Sequence, residues 1–296
     1  MNTINSAKWL GTLAAAMLLG ACYVGGDPEV DLEDPGARDL GYDVPAAVTD
    51  AEGMSVPDRP LGLAMGDLLR GELLRGELWL PEDERAAAEA VCPGERTLDG
   101  IDVSYYQGTI DWDAVRADGI RFAFIRVSDG TTFMDPQFET NWKNAKAAGV
   151  FVGTYQFFRP NQDASAQADI VVDALKRVGY SRRDLPPVID VETTGGMSSS
   201  TVISRVNEWL QRVRSRTGRT PALYTSPGFW SSIGNPTPSP FPYLWVAHWT
   251  NYCPTLPPNW SDFQWWQYTS SGSVRGISGN VDLDLFNGSL RLMVVL

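Results

Sequence analysis

The sequence predicts an α/β protein, specifically an irregular (β/α) TIM-like barrel of eight strands that lacks some of its helices. From Leu98 onward, eight short apolar runs have the length and composition of buried strands. Helical patterns separate the strands of the first half, which favours parallel β-α-β units. The second half is dense in proline and tryptophan and has few helix signals, so the missing helices are expected there.

The predicted elements follow one another along residues 97–296, which we take as one folded domain. The strands are predicted at Gly100–Ser104, Phe122–Val127, Phe151–Phe157, Pro187–Glu192, Ala222–Thr225, Tyr243–His248, Phe263–Tyr268 and Val281–Leu285. The helices are predicted at Trp112–Ala117, Asp135–Ala148, Ala164–Val178 and Ser199–Thr217, where apolar residues recur with helical spacing.

Residues 1–21 are typical of a lipoprotein signal peptide. Lys8 precedes an apolar run, Trp9 to Leu19, that is too short to span a bilayer. The run ends in Leu-Gly-Ala-Cys22, which resembles a bacterial lipobox, so we expect cleavage before Cys22 and acylation of that cysteine. Cleavage after Ala21 without acylation, or an uncleaved anchor, are the alternatives. Tyr23 follows the cysteine, which favours an exported protein anchored by lipid in the outer membrane, facing the periplasm or the cell surface.

Residues 22–96 are expected to form an acidic, largely disordered tether. Ten acidic residues and a single basic one lie between Asp27 and Asp58, and they account for most of the net charge of −12. The near-repeat in residues 66–80 predicts either a short docking helix or a poorly ordered linker. The remaining chain is nearly neutral without a basic cluster, which excludes a typical nucleic-acid binder.

The scarcity of histidine and cysteine narrows the chemistry further. The single histidine, His248, excludes zinc sites of the HExxH or three-histidine type, and no metal is expected. His248 is either a partly buried strand residue that lines a pocket or a catalytic base. After export, Cys92 and Cys253 form an even pair, so the sequence predicts a disulfide or, alternatively, two separate free cysteines.

Carboxylates lie where a barrel places its chemistry, at the carboxyl ends of strands. Asp102 is near the end of the first predicted strand, and Asp190 and Glu192 close the fourth. Residues two apart in a strand share a face, so both acids should enter one cleft, and Asp282 and Asp284 have the same spacing. Crowded carboxylates can supply the proton donor and the negative group that glycosidic cleavage needs. A lone Asp-x-Glu could equally pair with an arginine or cap a helix, and geometry alone does not assign the roles.

From about Leu98 to Phe286 the chain closely resembles glycoside hydrolase family 25, the Chalaropsis-type or phage-type lysozymes. The matching stretches keep their order and spacing, and they are Gly100-Ile-Asp-Val-Ser104 with Gln107 and Gly108, Phe122-Ala-Phe-Ile-Arg126, Ala145 to Gly149, Gly153-Thr-Tyr155 with Phe157, Ile189-Asp-Val-Glu192, Leu244-Trp-Val-Ala-His248, Trp266-Gln-Tyr268 and Gly279-Asn-Val-Asp282.

The resemblance implies a role for each cleft acid. Glu192 matches the general acid, Asp190 matches its partner at the reacting N-acetyl group or intermediate, and Asp102 and Asp282 match two supporting carboxylates. Members are described as retaining enzymes, and the nucleophile is either a carboxylate or the N-acetyl group of the substrate. The resemblance implies no metal or organic cofactor.

Two departures from the family pattern leave these acids in place. Many relatives have a histidine where this chain has Gln156, and Lys-Ala-Thr-Glu-Gly where it has Arg126-Val-Ser-Asp-Gly130. They place in doubt the fine substrate preference and the pH optimum rather than the reaction class.

Aromatic residues near the predicted strand ends suit a saccharide, because sugar rings offer apolar faces to aromatic planes. About half of them are expected to serve packing alone. Tyr155 and Trp266 are the preferred candidates for saccharide contacts, with Gln267 as a polar contact. Tyr224, Trp245 and His248 complete the expected substrate-binding set.

The function expected from this resemblance is that of a muramidase, which cuts peptidoglycan glycan strands between N-acetylmuramic acid and N-acetylglucosamine. The expected partners are those strands and, through Cys22, a membrane, and a monomer is expected. One alternative is a non-catalytic peptidoglycan-binding lipoprotein that keeps the cleft. A chitinase-like hexosaminidase is the other alternative, and its usual Asp-x-x-Asp-x-Asp-x-Glu run is absent from Leu185 to Glu192.

Overall fold

The predicted strands close into a barrel in the computed structural model, which describes residues 90–293 and 296. Within those residues the strands are β1 Thr97–Val103, β2 Phe122–Asp129, β3 Phe133–Met134, β4 Phe151–Phe157, β5 Val188–Asp190, β6 Ala222–Thr225, β7 Tyr243–Ala247, β8 Trp265–Gly272 and β9 Val281–Asn287. Their order is β1-β9-β8-β7-β6-β5-β4-β2, and pairing of β1 with β2 closes an eight-stranded ring. The two-residue β3 extends only β2. The predicted barrel is therefore confirmed.

One strand of the ring runs opposite to the others. Strands β1, β2 and β4 to β8 run parallel to their neighbours, whereas β9 is antiparallel to both β8 and β1. The short connection from Gly272 to Val281 explains this reversal, because a parallel crossover needs a dozen or more residues. The barrel is thus mixed rather than wholly parallel.

The helices cover mainly the first half of the barrel, as predicted. They are α1 Trp112–Ala117, α2 Phe138–Ala147, α3 Ala164–Arg177, α4 Ser199–Thr217, α5 Pro227–Ser232 and α6 Leu290–Met293. Side chains of Asp111, Asp163 and Ser198 cap α1, α3 and α4 by accepting a backbone N–H of the first turn. Among the described residues, no helix follows β7 or connects β8 with β9.

One helix begins three residues later than predicted. The sequence pattern places the start of α2 at Asp135, but the helix begins at Phe138. The Asp135 carboxylate instead accepts the backbone N–H groups of Gln137 and Tyr105 and pairs with Arg126. These contacts hold residues 135–137 in a turn, which postpones the first helical turn.

Alternation along the strands separates two cores. Outward-facing residues such as Val152, Ile189 and Leu223 pack against the helices. Inward-facing residues include Phe122, Phe124, Trp245, Trp265 and Phe286, which fill the interior near the amino ends of the parallel strands.

Glycines make room for two of these rings. A Cβ atom at Gly100 would lie 2.2 Å from the Phe122 ring, and one at Gly153 would lie 2.5 Å from the Phe124 ring. Both glycines are therefore required by close packing. With the amino end of the barrel filled, the space near the carboxyl ends remains for polar side chains.

A disulfide joins the segment before β1 to the loop between β7 and β8. Cys92 and Cys253 are bonded, with their Cα atoms 4.6 Å apart, which confirms the predicted disulfide. Val91 N donates to Pro254 O at 2.9 Å beside it. The predicted signal peptide, Cys22 and most of the predicted tether lie outside the described residues. Within residues 90–293, no helix has the length and apolar character needed to cross a membrane.

Candidate active site

The polar side chains of the barrel interior gather near the carboxyl ends of the parallel strands. Strand alternation brings them there, because each lies an even number of residues from an interior position of its own strand. This set comprises Asp102 of β1, Arg126 of β2, Tyr155 of β4, Asp190 of β5, Tyr224 of β6, Gln267 of β8, and Asp282 and Asp284 of β9.

Asp190 and Glu192 form a carboxyl pair at the end of β5. Burial and the nearby charge of Glu192 raise the pKa of Asp190 well above its ordinary value. Burial also raises the pKa of Glu192 to about 7, although its hydrogen bond with Asp190 lowers it in part. Among the described residues, no N–H or hydroxyl group donates to the carboxyl oxygens of Asp190, so Glu192 is the partner with which Asp190 shares a proton. The pair therefore retains a proton near neutral pH, as a general acid must.

Asp102 is fixed by an oriented amide. Gln267 Nε2 donates to Asp102 Oδ2 at 2.7 Å. The other end of the same amide is held by Tyr224, whose hydroxyl donates to Gln267 Oε1 at 2.9 Å, and by Trp249 Nε1 at 3.0 Å. These two donors fix which end of the amide faces Asp102. Burial raises the pKa of Asp102 to about 7, and the Gln267 hydrogen bond and the charge of Arg126 oppose that rise.

Two acids of β9 complete the carboxyl cluster. Asp282 lies opposite Asp102 in the β1–β9 register. Asp284 is fully buried deeper in the barrel, where Trp245 Nε1 donates to its Oδ1 at 2.9 Å. Burial and the charge of Asp102 raise the pKa values of Asp282 and Asp284 well above the ordinary value of an aspartate. The cluster as a whole therefore resists full ionisation.

Two guanidinium groups balance the acids. Arg126 is 4% exposed, pairs with Asp135 through Nε at 3.1 Å, and lies 5.1 Å from the Tyr105 ring centre. Arg159 makes a bidentate pair with Asp129, with N–O distances of 2.5 and 2.6 Å. The charge of Arg159 favours ionised Glu192, and that of Arg126 favours ionised Asp102.

The structure brings most, but not all, of the expected substrate-binding residues to the acids. Tyr155, Tyr224 and Gln267 lie on the interior face with them, and Trp245 lies beneath, stacked on Phe124 with ring centres 4.5 Å apart.

Trp266 and His248 lie elsewhere. Trp266 faces the outer layer, where its Nε1 donates to His248 O at 2.7 Å. His248 Nδ1 accepts the backbone N–H of Thr255 at 2.9 Å. Neither side chain is on the interior face that carries the acids.

Gln156, one of the two departures from the family pattern, also faces outward. Its Nε2 donates to Ser128 Oγ at 2.7 Å, and its Oε1 accepts Trp209 Nε1 at 2.7 Å. This glutamine joins a strand to helix α4 and does not contact the acids.

Three site residues were not assigned a role from the sequence. Arg126 follows Phe122 and Phe124 on one face of β2, so alternation could have identified it, whereas the spacing of Asp284 from Asp282 on β9 was evident in the sequence without a role being assigned to Asp284. Trp249 reaches Gln267 from the loop after β7, and no periodic signal predicts such a contact.

A cluster of buried carboxyl groups that retains a proton, in a cleft at the carboxyl ends of a mixed barrel, defines an acid–base hydrolase of glycosidic bonds. The chain belongs to glycosyl hydrolases family 25, whose family model matches residues 101–277.

Relatives and solved structures agree with this assignment. The chain is 37% identical over 228 residues to lysozyme M1 of Streptomyces globisporus, covering 72% of this chain and 75% of that protein. It is 31% identical to the N,O-diacetylmuramidase of Arthroderma benhamiae, and the match covers 66% of this chain and 84% of that protein. The crystal structure of the lysozyme from Streptomyces coelicolor superimposes with a TM-score of 0.62 at 34% identity, covering 69% of this chain and 98% of that one. These relatives support the enzyme and not the non-catalytic binding lipoprotein.

Proposed function

We propose that this protein is a peptidoglycan muramidase that hydrolyses the β-1,4 bond between N-acetylmuramic acid and N-acetylglucosamine. The proton-retaining pair of Asp190 and Glu192, beside Asp102 and Asp282, is the observation that carries the proposal. The similarity to a lysozyme and to an N,O-diacetylmuramidase supports the same reaction.

In the proposed mechanism Glu192 is the general acid. It donates its proton to the glycosidic oxygen as the bond from that oxygen to the sugar C1 breaks, and the bonding electron pair remains on the oxygen. The positive charge that develops at C1 is stabilised by the surrounding carboxylates, with Asp190 oriented toward the acetamido group or the intermediate. Water then adds to C1 and returns a proton to Glu192. Both a carboxylate nucleophile and attack by the acetamido oxygen are compatible with these roles.

The proposed sugar contacts follow from the positions of the side chains. Tyr155 and Tyr224 lie on the interior face beside the acids, and the Tyr224 hydroxyl orients Gln267, which holds Asp102. Trp245 supports both tyrosines from below, with ring centres 6.2 and 4.7 Å away. We assign Trp266 and His248 an indirect role, since they hold the start of the loop that carries Trp249.

The test is the identity of the new reducing ends. Purified protein is incubated with peptidoglycan sacculi, and released fragments are analysed by mass spectrometry after borohydride reduction. The expected product carries reduced N-acetylmuramic acid, and the signal should vanish in Glu192→Gln, which keeps the side-chain shape but has no acidic proton. Glu95→Gln, at an exposed site, is the matched control and should retain activity. Reduced N-acetylglucosamine ends, or an active Glu192→Gln protein, would refute the proposal.

We also propose that the protein is exported and anchored by lipid at Cys22, with residues 22–96 as the tether between the outer membrane and a monomeric catalytic domain, to which the end of the tether is fixed at Cys92. The lipobox-like Leu-Gly-Ala-Cys22 sequence supports the anchor. The Cys92–Cys253 disulfide supports an oxidising compartment outside the cytosol. Cys22→Ser should move the protein from the detergent phase to the aqueous phase and remove the mass of the acyl groups. An unchanged mass and unchanged partitioning would refute lipidation and leave simple cleavage after Ala21.

A further inference from the structure

A second concave site lies at the end of the barrel opposite the acids. The cavity has a volume of about 290 Å³ and is bordered by residues that precede β6, begin β7 and precede β8. Because these positions are at the amino ends of parallel strands, the cavity is separated from the catalytic cleft by the packed interior of the barrel.

An aromatic pair forms one wall of this cavity. Phe241 is 48% exposed, and its ring centre lies 5.1 Å from that of Trp260. Trp260 is itself fixed from behind by the edge of the buried Trp230, at 5.6 Å, and the Trp230 indole donates to Pro236 O at 3.0 Å. The exposed ring of Phe241 therefore stands on a rigid support, and little ordering would be needed to bind a ligand against it.

Polar groups with fixed orientation line the cavity beside the rings. Gln264 Oε1 accepts the backbone N–H of Leu244 at 3.0 Å, which leaves its amide NH2 without a partner among the described residues. One carboxylate oxygen of Asp262 accepts the N–H of Phe263 and the amide of Asn287, at 2.7 and 3.2 Å. Within the part of the chain described, the second oxygen has no donor. The cavity therefore offers an oriented donor and an oriented acceptor.

We propose that this cavity binds a neutral N-acetylhexosamine unit of a glycan strand at a site remote from catalysis. A sugar ring stacks its apolar face on an exposed aromatic ring while its hydroxyls bridge donors and acceptors at the edge. The carboxylate of Asp262 disfavours an anionic sugar, which selects the N-acetylglucosamine type. The volume is at the lower end of the range for ligand sites and suits one or two rings.

This inference rests on the proposed function, because a second hold on the polymer is useful only to an enzyme that acts on long strands. Two weak sites on one polymer raise the affinity for sacculi through effective concentration, without a change in the chemistry at the cleft. The two sites therefore predict different results for polymeric and for short soluble substrates.

The test uses the full-length protein with two substrates and one ligand. Phe241→Ala should lower the affinity for sacculi about tenfold, which is the effect of losing one aromatic contact of about 1.4 kcal/mol. Hydrolysis of short soluble glycan fragments should be unchanged. Thr220→Val, a variant of the same shape that removes a lining hydroxyl, should weaken sacculus binding in the same direction. Leu292→Ala removes an exposed apolar side chain that does not line the cavity and should have no effect.

Indole proton signals in NMR spectra identify the ligand. Chitotriose, added to the Glu192→Gln protein, should shift the Trp260 signal, and the shift should be lost in the double variant with Phe241→Ala. Sacculus affinity unchanged in Phe241→Ala, or a Trp260 signal unmoved by millimolar chitotriose, would overturn the inference. If the wild-type protein does not hydrolyse soluble fragments but chitotriose still shifts the Trp260 signal, only the proposed function is overturned.

Discussion

Replacing Glu192 by glutamine should change stability as well as activity, and the sign of the change should depend on pH. The folded-state pKa of Glu192 is about 7, against an ordinary value of 4.5. Between these values the folded protein binds more protons than the unfolded chain, so the free energy of unfolding decreases as pH rises. The contribution is fully present below about pH 4.5 and is lost above about pH 7. Glutamine does not titrate, so the variant does not lose this stability as the pH rises.

The size of the effect follows from the shift of the Glu192 pKa. A displacement of about 2.5 pKa units corresponds to about 3 kcal/mol, and partial exposure of Glu192 to the cleft reduces this to about 2 kcal/mol. We therefore expect the stability difference, variant minus wild type, to increase by about 2 kcal/mol between pH 4 and pH 8. The variant should be the more stable protein at pH 8.

Urea denaturation followed by tryptophan fluorescence measures this difference at each pH, with the disulfide intact. Glu95→Gln serves as the control, and its stability difference should be the same at both pH values. Wild-type activity should in parallel decline above about pH 7, because the acid must carry its proton. A stability difference for Glu192→Gln that is equal at pH 4 and pH 8 would show that burial does not raise the pKa of Glu192, and the acid assignment would lose its physical basis.

Three further predictions concern the surroundings of the acids. Gln267→Leu removes the donor to Asp102, so the pKa of Asp102 should rise. We expect kcat/KM on labelled sacculi to fall at least tenfold, because a hydrogen bond to a charged group worth about 1.5–3 kcal/mol is lost. Full activity of this variant would contradict the prediction. Replacing Cys92 and Cys253 by serine should destabilise the protein by about 2–5 kcal/mol, seen as a lower Tm in calorimetry, and an unchanged Tm would contradict the disulfide. Asp284→Asn keeps a hydrogen-bond acceptor but removes a buried titrating group. The variant should therefore have a higher Tm than the wild type at pH 8 and not at pH 4. Equal shifts of Tm at both pH values would show that Asp284 does not titrate with a raised pKa.

The strands were predictable because each combines a short apolar run with an abrupt end. Their direction was not, because apolar periodicity is the same in a parallel and an antiparallel strand. The β8–β9 reversal could have been inferred only from the connection that follows Gly272, which is too short for a crossover. Helix α5 was missed because its large apolar residues, Phe229 and Trp230, are adjacent and show no helical spacing, although Ser226 and Pro227 are typical of a helix start.

The acids were predictable from their position at strand ends, whereas predicting the substrate contacts required knowing which residues of each strand face the barrel interior. Trp266 and Gln267 are consecutive in β8, and consecutive strand residues face opposite sides. The structure accordingly places Gln267 with Asp102 and Trp266 in the outer layer. His248 follows the end of β7 and turns toward the loop. The alternation of side chains along a strand therefore assigns Trp266 and Gln267 to opposite faces from the amino-acid sequence alone. The position of His248, in contrast, depends on where β7 ends.

The missing helices of the second half have a consequence for the site. Where a helix would otherwise cover the barrel after β7, a long loop runs over it, and Trp249 from this loop donates to the amide that holds Asp102. The loop has no helix to order it, but Cys253 ties it to Cys92 across 161 residues of sequence. The disulfide therefore does more than hold the segment before β1, since it restrains the loop that orients Gln267. Reduction of the disulfide should accordingly affect the charge state of Asp102 even where the barrel itself remains folded.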